Sequence, residues 1–293
     1  MSLAYYAFQE HKNLLAMGLH SLKPDEWLLP DEKLAGQTAL KQSLRSELGE
    51  RVYSQLPESR AAQLEVARAL GEYLPEHYPD LYAPCSDGLV CRFNDTTYQW
   101  DDPDIALLKA SWCVQEDLCL LQPQDDHYRL TAASLCAPSY WRLLEKIGQP
   151  LDRIHAPVPG YGEKLSRKIN RFFQHIKVDR PVWRGNWSVV TSDRLYQPGD
   201  EESVPITSPA DIPRRCFIRT ERQTLRRLPQ TGAVVFSIRV HIKPFTDFLD
   251  NPAWLNDLYN ALAALSADER DYKSLHPVEP ALSLWLEHHL AGS

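Results

Sequence analysis

Three groups of residues in this chain have side chains and spacings suited to chemistry. The first centres on His155 in DRIHAPVPGYGEKL, residues 152–165, where Pro157 and Pro159 follow the histidine and Gly160 and Gly162 close the stretch. Proline fixes φ and pushes the residue before it toward extended backbone. The spacing therefore predicts an imidazole held on a stiff, non-helical connector. An imidazole fixed in this way serves packing, a metal, an acid–base step or a haem, and one histidine does not choose among them. The second group is RTERQTLRRLP, residues 219–229, where a strand reading puts Arg219, Glu221 and Gln223 on one face. Guanidinium groups there suit a carboxylate or phosphate, with Glu221 turned into a cavity; a solvated sheet edge gives the same pattern. The third is VWRGNWSVV, residues 182–190, in which Arg184, Asn186 and Trp187 line a pocket or merely decorate a sheet.

Other candidates are weaker. His175 lies on an amphipathic segment, GEKLSRKINRFFQHI, and reads either as an exposed helix residue or as a reserve ligand. His288 and His289 are adjacent rather than four apart, so they read as surface. GYG supplies only G-x-G, which is no dinucleotide fingerprint, and the chain has no G-x-S-x-G, H-E-x-x-H or Walker loop. The six cysteines include no C-x-x-C pair, which removes zinc ribbons, ferredoxin patterns and c-type haem attachment. Scattered over a chain of this length they read as reduced thiols, which points to the cytoplasm.

The elements that must position these residues follow from periodicity. SRAAQLEVARALGEYL (59–74) carries a helical apolar stripe, with Ser59 as its expected cap and an end before the prolines that follow. GLVCRFNDTTYQW reads as a hairpin, and EDLCLLQPQDDHYRLTAASLC as a stronger one turning at Pro123–Asp126. A short helix, SYWRLLEKIG, precedes the His155 connector, with Gly148 as its stop. Leu165, Ile169, Phe172, Phe173 and Ile176 then make one face of a longer helix. Three strands follow, at 180–190, 216–229 and 232–245. The last alternates most clearly, with Val234, Phe236, Ile238, Val240 and Ile242 on one side. PAWLNDLYNALAALS and PALSLWLEHHL return to helix.

The predicted class is α+β: an antiparallel sheet of PAS-like order with helices over one face, plus N- and C-terminal helical extensions. The expected division is an N-terminal helical extension at 1–84, a core at 85–249 and a C-terminal helical segment at 250–293. A composition of 43% hydrophobic and 24% charged residues is ordinary for a globular chain. The net charge of -7 argues against a nucleic-acid partner. No apolar run is long enough to span a membrane, and the polar Gln9–Lys12 stretch argues against a secretory signal.

The run VQEDLCLLQPQDDHYRLTAASLCAPSYWRLLEKIGQPLDRIHAPVPGY, with VWRGNWSV and RTERQTLRRLPQTGAVVFSIRV downstream, resembles the haem-dependent oxidative N-demethylases, relatives of the dimethylamine monooxygenase catalytic subunit. The resemblance spans roughly residues 25–290. It implies a PAS-like core binding haem b, with a histidine as fifth iron ligand and O₂ and a secondary amine on the other side. Oxidation of an N-methyl carbon then gives a carbinolamine that collapses to formaldehyde and the primary amine. Electrons come from NADPH through a separate flavin and iron–sulfur reductase, for which this chain carries no fingerprint of its own. Carried onto this sequence, the resemblance makes His155 the axial ligand with His175 in reserve. Arg219 becomes a propionate or pocket charge, and Glu221 the carboxylate for a protonated amine. Tyr161, Arg184, Asn186 and Trp187 become further pocket residues, and Glu116 with Asp117 a rival acidic pair. A haem-based PAS-like sensor or carrier, and a haem-free interaction module, are the competing function classes; the absence of an output motif argues against the sensor.

Overall fold

The computed structural model describes residue 8 and residues 18–125, 127–199 and 205–291. The reading of the chain's start falls mostly outside the described residues, as does Asp126 of the expected turn.

The chain enters with a two-residue strand, β1 (His20–Ser21), and a helix, α1 (Leu34–Leu48). Gly49 ends α1 at φ 58°, a left-handed value that glycine adopts without a Cβ penalty. A short strand, β2 (Tyr53–Gln55), leads to α2 (Arg60–His77), whose Ala62, Val66, Leu70 and Leu74 are buried along the expected stripe. Two details of α2 differ from expectation. Ser59 does not cap it: the residue already has helical backbone angles, and its Oγ donates to the Leu56 carbonyl at 2.6 Å. The helix also runs through Pro75 to His77 instead of stopping at Leu74. Fully buried Leu70 and Leu74 hold that turn against the core, and such packing outweighs the one backbone bond that proline removes.

Next come β3 (Tyr82–Cys85), β4 (Gly88–Cys91) and β5 (Thr96–Gln99), a separate three-stranded sheet in that order. The β4–β5 pair is the expected hairpin, with Asp95 at φ 53° in its turn. After α3 (Ala106–Ser111), the second hairpin forms as β6 (Asp117–Gln124) and β7 (His127–Ser134). The connector carries three helices: α4 (Leu143–Lys146), α5 (Leu151–His155) and α6 (Glu163–His175). His155 therefore ends a helix, where the sequence predicts an extended connector. Proline restricts only the residue immediately before it, and that residue is Ala156, which stays helical in spite of Pro157. The remainder is β8 (Val182–Val190), α7 (Ile212–Arg215), β9 (Phe217–Arg227), β10 (Val234–Pro244), α8 (Pro252–Ala263), α9 (Ala267–Tyr272) and α10 (Glu279–Ala291). The sequence reading lacked β1, β2, β3, α3, α7 and α9.

The large sheet is α+β in context and antiparallel throughout, ordered β1-β8-β9-β10-β6-β7-β2. Its five consecutive strands from β6 to β10 thus lie side by side, the chain leaving β7 at one side and re-entering as β8 at the far side of β9. Alternation splits their side chains between two faces. One face presents Cys119, Leu121, Ala133, Leu225 and Val234 to Leu143, Leu151, Phe173 and Ile176 of the connector. We call it the connector face. The opposite face packs Leu118, Leu120, Ala132 and Val235 against Trp27, Val66 and Leu70 from the N-terminal segment. Farther along, the same side packs Trp187, Val189 and Ile218 against Leu258, Leu282 and Trp285 of the C-terminal helices. Burying one such side chain fully contributes roughly 1.5–3 kcal/mol. No helix among the described residues is long and apolar enough to cross a membrane.

Candidate functional site

The connector face changes character along its length. Toward β6 and β7 it is apolar. Toward β8 and β9 it becomes polar, because register places Arg184 opposite Gln223, Asn186 opposite Glu221 and Ser188 opposite Arg219. All six side chains share the parity of the buried Leu225 and so project to the same side.

Glu221 is the centre of this group. It is only 7% exposed. One oxygen, Oε2, accepts hydrogen bonds from Asn186 Nδ2 at 3.3 Å and from Gln223 Nε2 at 2.8 Å. Its Oε1 lies 3.6 Å from Arg219 Nε. Arg219 is 1% exposed. It spends its other nitrogens on main chain, donating to the Leu195 carbonyl at 3.2 Å and to the Ala137 and Pro138 carbonyls at 2.7 and 3.2 Å. Burial lowers its affinity for a proton, and Glu221 and Asp117 oppose that effect. Its ordinary value is so high that it stays a cation.

His155 reaches the site from the connector. As the last residue of α5, it donates from Nδ1 to the Leu151 carbonyl at 2.8 Å. That bond selects the tautomer whose Nε2 carries the lone pair, the form that ligates a metal. The ring is half-buried and stacks on Tyr161, with centroids 5.6 Å apart and planes at 16°. Burial pushes the imidazole's pKa below its ordinary value, and the Arg184 charge adds to that effect. The Leu151 bond and Asp152 oppose both. His155 is accordingly neutral at pH 7, and Arg184 lies within electrostatic reach of it.

Tyr161 divides its loyalties. Its ring belongs to His155, but its hydroxyl donates to Asp152 Oδ1 at 2.6 Å. Asp152 also accepts from Ser166 Oγ at 2.8 Å and from Asn170 Nδ2. These donors hold its pKa below the ordinary carboxylate value despite partial burial. Asp152 and Tyr161 line an open cleft of about 500 Å³ with His127, Arg153 and Ser166, on the outer side of the α5–α6 turn.

The remaining expected residues stand apart. Trp187 has the opposite parity to Asn186 and packs into the C-terminal helices, edge-on to Phe8 at 6.0 Å. His175 is exposed at the end of α6, its Nδ1 donating to the Arg171 carbonyl. Asp117 lies on the connector face, but its oxygens accept from the Cys136 and Ala137 N–H groups at 2.8 Å each. Glu116 is buried on the opposite face.

One residue here escapes sequence reasoning. Lys273 had no signal at all: it comes from the end of α9 and donates to the Trp187 carbonyl at 2.6 Å, with its ammonium 4.5 Å from the Trp187 ring centre. Burial pulls its pKa down to about 8, against the attraction of Glu221.

The donor chemistry suits the haem that the resemblance implies. His155 offers a directed Nε2 on the connector that packs the apolar slab. At the slab's polar end, Ser188 Oγ and Arg219 Nε are buried without a hydrogen-bond partner, and buried polar atoms of this kind call for a ligand atom or water. A family model described as haem-dependent oxidative N-demethylase, alpha subunit-like, matches residues 18–283. That description names a haem dependence, an oxidative demethylation and one subunit of an assembly. The match covers nearly the whole chain, including every site residue described above. The chain belongs to the haem-dependent oxidative N-demethylase, alpha subunit-like family.

Proposed function

We propose that this chain is the haem-binding monooxygenase subunit that removes a methyl group from a secondary amine such as dimethylamine. The products are the primary amine and formaldehyde. The observation that carries the reading is the Nδ1 bond from His155 to the Leu151 carbonyl, which leaves Nε2 of a half-buried neutral imidazole available to iron. Bound haem b supplies the activation of O₂ and the oxidation of the N-methyl carbon.

The chain's own residues do the rest. His155 would hold the haem iron through its Nε2. Glu221 holds the substrate as an ammonium, since a carboxylate attracts a nearby cation, and Asn186 and Gln223 fix the direction of its Oε2. Arg219 anchors Glu221 from the other side. Arg184, opposite Gln223 in the register and within electrostatic reach of His155, is our candidate cation for a haem propionate. Tyr161 packs the imidazole, while Trp187 supports β8 from behind. The balance is one dimethylamine, one O₂, two electrons and two protons giving methylamine, formaldehyde and water. The electrons come from NADPH through a separate flavin and iron–sulfur reductase subunit.

The side-by-side order of β6 to β10, with a helical connector between β7 and β8, supports a PAS-like haem-binding core within residues 85–249. The helices within 18–84 and 250–291 then cover its other face, while β1 and β2 extend the sheet itself. Six free cysteines support a reducing, cytoplasmic setting. The test is absorption of the protein supplied with haem, followed by reduction, O₂ and dimethylamine. A Soret band and stoichiometric formaldehyde are expected; no band after reconstitution overturns the reading.

A further inference from the structure

Helix α6 has two unlike faces. Ile169, Phe172, Phe173 and Ile176 turn toward the sheet. On the other side Arg167, Lys168, Arg171 and His175 are exposed, at spacings of one, three and four that keep them within roughly a third of a helix turn. Lys177 continues the exposed stripe beyond the helix, where Arg180 is paired with Asp179 at 4.0 Å, and Arg153 is exposed at the neighbouring α5. Residues 164–178 contain five lysines and arginines and no aspartate or glutamate, in a chain whose net charge is -7. So much one-signed charge on one helix face, against the sign of the whole molecule, is a focused field. Exposed Val178 adds an apolar spot at its end.

We propose that this outer face of α6 is the docking surface for an acidic protein that delivers the electrons. The inference rests on the haem-monooxygenase reading above and extends it to the partner. Three observations favour a protein of this kind over another polyanion. The acidic remainder of the chain repels extended polyanions such as nucleic acid or an anionic membrane. The stripe is about three turns long, the scale of a protein contact. And α6 is the helix whose inner face covers the slab beside His155, so a donor on its outer face stands about one helix diameter, roughly 10 Å, from that slab. Complementary charge of this sort governs encounter rate and orientation more than final affinity.

The test uses the full chain reconstituted with haem, beside R167E/K168E/R171E and the neutral R167Q/K168Q/R171Q. The probe is a reduced acidic [2Fe–2S] ferredoxin, and haem reduction is followed by stopped flow. The native chain should be reduced at a rate that falls steeply with added salt. Charge reversal should slow that step at least tenfold at low salt and abolish its salt dependence, with the neutral variant between the two. Reduction by dithionite and the Soret band should match the native chain in both variants, which also establishes that they fold. Equal ferredoxin rates in all three proteins, with intact Soret bands, overturn the docking surface and leave the monooxygenase reading standing. Loss of binding to phosphatidylserine vesicles or duplex DNA, with ferredoxin rates unchanged, overturns it in favour of those partners. A native chain that takes up no haem overturns both readings.

Discussion

Asp117 and Arg219 hold the same loop by its two kinds of peptide group. The Asp117 carboxylate accepts the N–H groups of Cys136 and Ala137, and the Arg219 guanidinium donates to the carbonyls of Ala137 and Pro138. Both side chains are about 1% exposed. Burial raises the Asp117 pKa, and the positive charges of Lys41 and Arg219 oppose that rise. Removing one member leaves a buried charge uncompensated, which costs about 3–5 kcal/mol. Arg219→Met and Asp117→Ala should each lower the unfolding free energy from urea titration by that amount, and the double variant should lose clearly less than the sum. Strict additivity would show that the two do not act as a unit.

His155→Ala should abolish or shift the Soret band of the reconstituted protein, while His175→Ala leaves it unchanged. The difference follows from their surroundings: both donate Nδ1 to the carbonyl four residues back, but only His155 is half-buried beside the apolar slab. A band lost with His175→Ala and kept with His155→Ala would transfer the ligand to α6.

Glu221→Gln removes the charge for the ammonium but keeps the shape that Asn186 and Gln223 contact. The Soret band should persist while KM for dimethylamine rises about tenfold, equivalent to about 1.4 kcal/mol of lost binding. An unchanged KM would remove Glu221 from substrate recognition.

His241 gives a pH dependence of stability. It lies on β10, and burial, aided by the nearby Arg239 charge, lowers its pKa to about 4; Lys33 and Lys243 act in the same direction and Asp31 against it. The unfolded chain therefore takes up a proton first as pH falls. The stability is fully present above about 6.5 and is lost as pH drops through about 4, up to about 3 kcal/mol. His241→Phe should flatten the denaturation midpoint across that window. A variant that keeps the native slope would assign it to other groups.

Much of this was legible in local pattern. Parity alone put Arg219, Glu221 and Gln223 on one face, and the β8–β9 register confirms that placement. The same parity separated Trp187 from Asn186, so its residue type made it a pocket candidate against its own alternation. The apolar side of α6 followed from spacing. What escaped was non-local. Lys273 reaches Trp187 across 86 residues of sequence. Strands of two and three residues carry no period to detect, so β1 and β2 exist only through their partners. His155 illustrates a rule applied one residue too far: the proline constraint falls on Ala156, and five residues from Leu151 were free to coil.

The two shortest strands have a consequence for how this protein is made. β1 pairs with β8 and β2 with β7, so segments synthesised first close the sides of a sheet whose strands emerge much later. During translation they have nothing to pair with, and the sheet's flanks stay open until the early segment returns. A shortened chain beginning near residue 85 would never close them. Unpaired strand edges recruit other chains, so such a fragment should self-associate, with the Lys273 ammonium blocking part of β8 at the Trp187 carbonyl.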